Sequence, residues 1–274
     1  ITDPGNERRA PGAFGDKSVL EFAEYAAPGW VEATGIDGGE VPLSVPAPRL
    51  DGAIAGSVWS PLVLDGAPPA PLLVVHDGPE FAALGAFVHY VATSITAGLL
   101  PPLRIALLDP GERNEWYAAN PDYSDTLALD VLAHLPPATV RIGVGVSLGA
   151  LALLHAHRAH PGTFDGLLLQ SGSFFTPDLD GQESGFSGFA AVTRFVEQVH
   201  AGARDDHPVP VALTCGVAEE NLANNRRIAR TLDRLGYPTS VQTLRDAHNY
   251  TAWRDALHPS LTDLITTVVA RHAA

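Results

Sequence analysis

One serine in this chain sits where it could do chemistry. Gly145-Val146-Ser147-Leu148-Gly149 ends the apolar run Val140–Val146 and leads directly into a Leu- and Ala-rich run. On a sharp strand-to-helix turn, a G-x-S-x-G raises the serine hydroxyl above the sheet on strained backbone. The glycines let neighbouring backbone come close, and the helix start points free N–H groups at the reacting centre. The same five residues could instead be a glycine-rich packing contact between a strand and a helix.

A serine hydroxyl needs a base, and the base an orienting carboxylate, here expected in the chain order serine, acid, histidine. Of the 11 histidines, His200, His207, His248, His258 and His272 lie well downstream. His248, in "LRDAHNYTAW", follows the last predicted strand on a strand-end loop and is the best placed base. The acid is expected past the preceding strand, in "TCGVAEENLANN", where Glu219 and Glu220 are adjacent candidates; both could equally be carboxylates complementing a helix N-terminus. Asp246 is too close to the histidine in sequence. An oxyanion would be met by the N–H of Leu148 and by one from the loop after "LLVVHDG". Pro79 has no N–H, so Gly78 or Glu80 must supply the second donor. His76 reads as an orienting or structural group. Arg113, Trp116, Tyr117, Phe174 and Arg254 could line the substrate side, although each could be a packing or surface residue.

Positioning these groups requires a sheet whose strand ends converge. From residue 70 onward short apolar runs alternate with helical patterns. "APLLVV", "LRIALL", "VRIGVGV", "FDGLLLQ", "VPVALTCG" and "TSVQTL" read as strands. "FAALGAFVHYVATSITAG", "SDTLALDVLAHL" with Ser124 as N-cap, "LGALALLHAHRAH", "FAAVTRFVEQVHAG", "NLANNRRIARTLDRLG" and "LTDLITTVVARHA" read as helices. Near-continuous apolar strands indicate a mainly parallel sheet covered on both faces, with functional groups at the strands' carboxyl ends. "EVPLSVPAPRLDGAIAGSVWSP" alternates weakly and carries prolines, which suggests edge or antiparallel strands. "SVLEFAEYA" reads as a short helix and residues 1–16 as a polar extension. Residues 175–187 form a polar insertion that could make a flap over the site.

Composition narrows the function classes. With 17 basic and 31 acidic residues the 274-residue chain has a formal charge of −14, which disfavours nucleic acid and anionic membranes as partners. No apolar run reaches membrane-spanning length. The single Cys215 rules out an internal disulfide and a cysteine-rich zinc cage and reads as a small buried hydrophobe. His155, His157 and His160 do not share a helix face, and "DLDG" at 178–181 lacks the other calcium-loop ligands, so no metal is expected. The chain opens on Ile1 and contains no Met, as in a trimmed or mature chain. A removed signal peptide is compatible with that, but one free Cys and no visible signal make the cytoplasm the expected compartment. Oligomeric state is left open.

From about residue 65 to the end, the chain resembles the esterase branch of the α/β-hydrolases that includes enterochelin (ferric siderophore) esterases, feruloyl esterases and mycolyltransferases. The matching stretches are "LLVVHDGPEF", "ALLDPGERNEWYAANPDYSD", "GVSLGALALLHAHRAHPGTFDGLLLQSGSFF", "CGVAEENLANNRRIARTL" and "DAHNYTAWRDAL". The pairing of His248 with Trp253-Arg254 is most similar to enterochelin-esterase-like proteins. The resemblance implies an α/β-hydrolase three-layer sandwich with a mainly parallel sheet and an antiparallel N-terminal part. Residues 1–40 would be an N-terminal extension and residues 41–274 the catalytic domain. It further implies a serine carboxylic-ester hydrolase without cofactor, acting on a small-molecule ester through Ser147 as nucleophile and His248 as base. The family often places its acid three residues after the strand-ending glycine, here Gly216, which selects Glu219. Pro79, Ala247 and Asn249 depart from the usual pattern. The alternatives are an acyltransferase using the same triad and a catalytically silent binding protein on the same fold.

Overall fold

The computed structural model describes residues 2–12 and 15–273. Positions 1, 13 and 14 of the polar extension lie outside the described residues. The strands are Arg9–Ala10 (β1), Lys17–Ser18 (β2), Gly38–Ala47 (β3), Gly52–Pro61 (β4), Ala70–Val75 (β5), Arg104–Leu108 (β6), Ala138–Val146 (β7), Gly166–Gln170 (β8), Val211–Gly216 (β9) and Thr239–Leu244 (β10). The helices are Gly78–Leu84 (α1), Phe87–Thr96 (α2), Arg113–Trp116 (α3), Pro121–Asp125 (α4), Leu132–His134 (α5), Leu148–Ala159 (α6), Phe189–Ala201 (α7), Leu222–Arg234 (α8), Tyr250–Asp255 (α9) and Leu257–Ala273 (α10).

β1 and β2 form a small antiparallel pair, and the other eight strands form one sheet in the order β10-β9-β8-β7-β5-β6-β4-β3. The six strands predicted from their apolar runs, β5 to β10, pair in parallel, while β3 and β4 extend the sheet antiparallel from β6. Parallel strands carry long crossovers, so helices must cover both faces. Two cores result. On one face Leu72, Val74, Leu167, Leu169 and Leu213 meet α6, α7 and α8. On the other Leu73, Val75, Ile105, Val144 and Leu168 meet α1, α2 and α10. On β7 the residues facing α6 are Gly143 and Gly145. A Cβ at Gly145 would stand 2.6 Å from the carbonyl carbon of Gly149, so only glycine lets the helix start press on the strand.

Local expectations fail at three places. The predicted helix at residues 18–26 does not form: Ser18 belongs to β2, and Leu20 and Phe22 are 79% and 67% exposed. A helix this short needs to bury an apolar face to form, and these apolar side chains face solvent. The single helix expected over residues 81–98 is two, broken where Ala86 takes φ 49. The helix expected to start on Ser124 starts at Pro121, with the Asn120 side chain accepting from the N–H groups of Asp122 and Tyr123; Ser124 instead bonds Nδ1 of His155. The segment before β3 joins the body, as Trp30 packs edge-on against Tyr90 at 5.0 Å and Ile36 N–H bonds the Ala92 carbonyl.

Candidate active site

Ser147 sits between β7 and α6 with φ 55 and ψ −124, a left-handed conformation costly for any residue with a Cβ. Gly145 and Gly149 make room around it: a Cβ at Gly149 would lie 3.1 Å from Cβ of His76 and 3.2 Å from Oδ2 of Asp77. The sequence expectation of a sharp turn at Ser147 is therefore met in the backbone. Leu148 opens α6, and its N–H, like those of the first turn of any helix, has no acceptor within the helix. The Ser147 hydroxyl is half-buried and lies 3.2 Å from the hydroxyl of Ser173.

The next strand ends bring up the remaining groups. Gly216 closes β9, and the chain turns back so that Glu219 reaches its own strand end: Oε1 accepts from the N–H of Gly216 at 2.7 Å and from the hydroxyl of Ser171 at 2.7 Å. The other oxygen, Oε2, lies 2.8 Å from Nδ1 of His248, in the loop after β10. The Glu219 side chain is fully buried and His248 is 39% exposed. Burial opposes ionisation of Glu219, yet the hydrogen bonds from His248, Ser171 and the Gly216 N–H outweigh it and hold the carboxyl below its ordinary range. Glu220 points to solvent, so of the two adjacent glutamates only Glu219 meets a histidine. The Trp253 ring stands edge-on to His248 at 4.9 Å. No hydrogen bond joins His248 to Ser147 among the described residues.

On the opposite side of Ser147, Asp77 takes φ 52 and α1 begins at Gly78. The first intrahelical bond there runs from Phe81 N–H to the Asp77 carbonyl, so the N–H groups of Gly78 and Glu80 have no acceptor within the helix. Gly78 is required at this place, because a Cβ would fall 2.5 Å from Cα of Leu107. Asp77 is buried and gripped bidentately by Arg113, with Nε–Oδ1 2.7 Å and Nη2–Oδ2 2.9 Å. His76 is fully buried, with Nδ1 3.0 Å from the Gly149 carbonyl and Nε2 2.9 Å from the Tyr123 hydroxyl. Burial pushes its pKa down to about 4. A neutral imidazole with both nitrogens engaged ties β5 to the turn after Ser147, in line with the structural role expected for it.

No protein-family model matches the chain. The iron(III) enterobactin esterase of Escherichia coli (strain K12) is 26% identical over 211 residues, which is 71% of this chain and 49% of that protein; the chain thus spans about half the length of this relative. The Shigella flexneri enterobactin esterase, solved in the presence of 2,3-dihydroxy-N-benzoyl-serine, superposes with a TM-score of 0.73 at 26% identity, covering 97% of this chain and 70% of that one. The chain resembles enterobactin esterases. A ferulic acid esterase shares the fold, with a TM-score of 0.68 at 18% identity over 85% of this chain and 99% of its own. The α/β-hydrolase architecture expected from the sequence is thus the observed one.

Several expected substrate-side residues are occupied otherwise. Arg113 spends two donors on Asp77. Trp116 and Phe174 are buried, with 8% and 0% exposure, inside the core on the α6 face, and offer a ligand little or no surface as placed. Arg254 is held by Asp255 at 2.8 Å and by the Tyr25 hydroxyl at 2.7 Å. The 175–187 insertion is tied down: Asp180 is buried and accepts from the Thr176 N–H and from Asn224 on α8, both at 2.7 Å. His155, His157 and His160 bond Ser124, the His207 carbonyl and Asp125 separately, and the described residues hold no cluster suited to a metal. Cys215 is buried, and burial pushes its thiol up to about 12. Sequence reasoning gave no role to Ser171, Ser173, Asn221 or Asn225. The two serines lie in "QSGSFF" and the two asparagines in "CGVAEENLANNRRIARTL", stretches that carry the resemblance without indicating what these side chains contact.

Proposed function

We propose that this chain is a serine carboxylic-ester hydrolase working through Ser147, His248 and Glu219 and an acyl-enzyme. The observation that carries the reading is the 2.8 Å contact between His248 Nδ1 and a buried Glu219, set two strands away from a serine on positive-φ backbone. Glu219 fixes the tautomer, leaving Nε2 of His248 free to accept a proton. The Ser147 hydroxyl turns from Ser173 toward Nε2 as substrate binds, since such bonds often tighten only in the complex. His248 takes the hydroxyl proton as Ser147 attacks the ester carbonyl. The oxyanion is met by the N–H of Leu148 and by that of Gly78 or Glu80. The alcohol departs with the proton from His248, and water, activated by the same imidazole, releases the acid and restores Ser147.

Similarity to enterobactin esterases makes a small-molecule ester of catecholoyl-serine the substrate class to test first. No helix among the described residues is long and apolar enough to cross a membrane, and the net charge of −14 disfavours a nucleic acid partner; a cytoplasmic site of action is part of the same proposal. The test is hydrolysis of enterobactin and of simple aryl esters by wild type, Ser147→Ala, His248→Ala and Glu219→Ala. Loss of about 10⁴-fold or more in kcat for the first two variants is expected, with a smaller loss for the third. Activity that survives Ser147→Ala contradicts the reading.

A further inference from the structure

The loop after β8, Ser171-Gly172-Ser173, touches both ends of the site. Ser171 is fully buried and takes φ 48. Its N–H bonds the Thr214 carbonyl at 2.7 Å, and its own carbonyl accepts from Nδ2 of Asn221 at 3.0 Å. The side-chain amide of Asn225 grips Gly172 twice, accepting from its N–H and donating to its carbonyl, both at 2.9 Å. Two residues on, the N–H of Ser173 bonds the carbonyl of Ser147 at 3.2 Å. The loop is therefore fixed against β9, α8 and the turn at Ser147.

The Ser171 hydroxyl has a determined polarity. Trp253 Nε1, 2.9 Å away, can only donate, so the Ser171 oxygen accepts there. Its single proton then goes to Oε1 of Glu219 at 2.7 Å. With the Gly216 N–H also on Oε1, that oxygen is fully engaged, and Oε2 alone is presented to His248. The same indole, held by Ser171, stands edge-on to the imidazole at 4.9 Å. One hydroxyl thus restrains the carboxylate directly and the imidazole through Trp253.

We infer that Ser171 is a positioning residue that sets the Glu219–His248 pair, acting through its hydroxyl and not through its backbone. This deepens the proposed function and rests on it for its kinetic consequence. Ser171→Ala keeps the Cβ and the strained φ and removes only the hydroxyl. It is expected to lower kcat, per active site titrated with a fluorophosphonate, by about 10-fold with KM little changed. Ser171→Gly relieves the positive φ but also lacks the hydroxyl, so it is expected to lose as much. In a Glu219→Ala background, Ser171→Ala is expected to cause no further loss, because its route to the chemistry is already cut.

A readout that needs no substrate accompanies these. Proton NMR of the wild type is expected to show a far-downfield imidazole N–H resonance that disappears in His248→Ala and Glu219→Ala and is broadened or shifted upfield in Ser171→Ala. Recovery of activity in Ser171→Gly, or an equal loss in the Glu219→Ala background, overturns the inference. So does a downfield resonance unchanged by Ser171→Ala or missing from the wild type. Inactivity toward every ester, or activity in Ser147→Ala, would instead strike the proposed function and leave the NMR result to decide the role of Ser171.

Discussion

Arg113→Met tests what the Arg113–Asp77 pair does. The Asp77 side chain is 3% exposed and the Arg113 side chain 25% exposed, with contacts of 2.7 and 2.9 Å. Methionine retains most of the side-chain stem but withdraws both donors and the charge, leaving a buried carboxylate without its partner. Removing one member of a buried pair typically costs about 3–5 kcal/mol. Water can reach the vacated place through the exposed quarter of the Arg113 side chain, so the lower end, about 3 kcal/mol, is expected. For a chain of this size that lowers Tm by roughly 5 °C. Urea unfolding followed by circular dichroism measures the loss directly. The double variant Asp77→Asn/Arg113→Met removes the stranded charge and is expected to recover at least half of it. A single-variant loss under about 1 kcal/mol, or a double variant no better than the single, would refute the view that Arg113 clamps the loop leading to Gly78 and would return it to the substrate side.

Three further outcomes follow from the geometry. His76 has its pKa lowered by burial to about 4, below its value in the unfolded chain, so its contribution is present above about pH 6.5 and is lost as pH falls through about 4. Acid unfolding should show a loss on the order of 3 kcal/mol across that window, reduced in His76→Gln. Cys215, buried with its thiol pushed up to about 12, should stay unmodified by an aqueous disulfide reagent in the native protein and react once in urea. Gly145→Ala places a methyl group 2.6 Å from the Gly149 carbonyl carbon; it should cost about 1–3 kcal/mol by driving α6 off β7, and lower the fluorophosphonate labelling rate with it.

The sheet was legible because strands buried on both faces must be apolar throughout, as "LLVV" at 72–75 and "GLLL" at 166–169 are. The turn at Ser147 was legible because its backbone leaves a local trace in Gly145 and Gly149. Where partners lie far apart in sequence, the chain carried no such trace. Arg113 meets Asp77 across 36 positions and Arg254 meets Tyr25 across 229, so both arginines read as candidates for the substrate side. The choice between Glu219 and Glu220 depended on which one the chain folds back toward Gly216, and adjacency alone could not show it. Ser171 and Ser173 are small and polar in a loop, a pattern shared by many solvated turns. At residues 19–26 the helix-forming composition finds no packing partner, since Leu20 and Phe22 face solvent, and at Ala86 the backbone turns to φ 49; composition alone carries neither outcome.

The most direct test of the account is the site of fluorophosphonate attachment, mapped by tandem mass spectrometry on wild type, Ser147→Ala and His248→Ala. The account predicts a single adduct on the Ser147 hydroxyl of the wild type, absent from Ser147→Ala and greatly slowed in His248→Ala. An unlabelled wild type, or an adduct on any other residue that persists in Ser147→Ala, would contradict it.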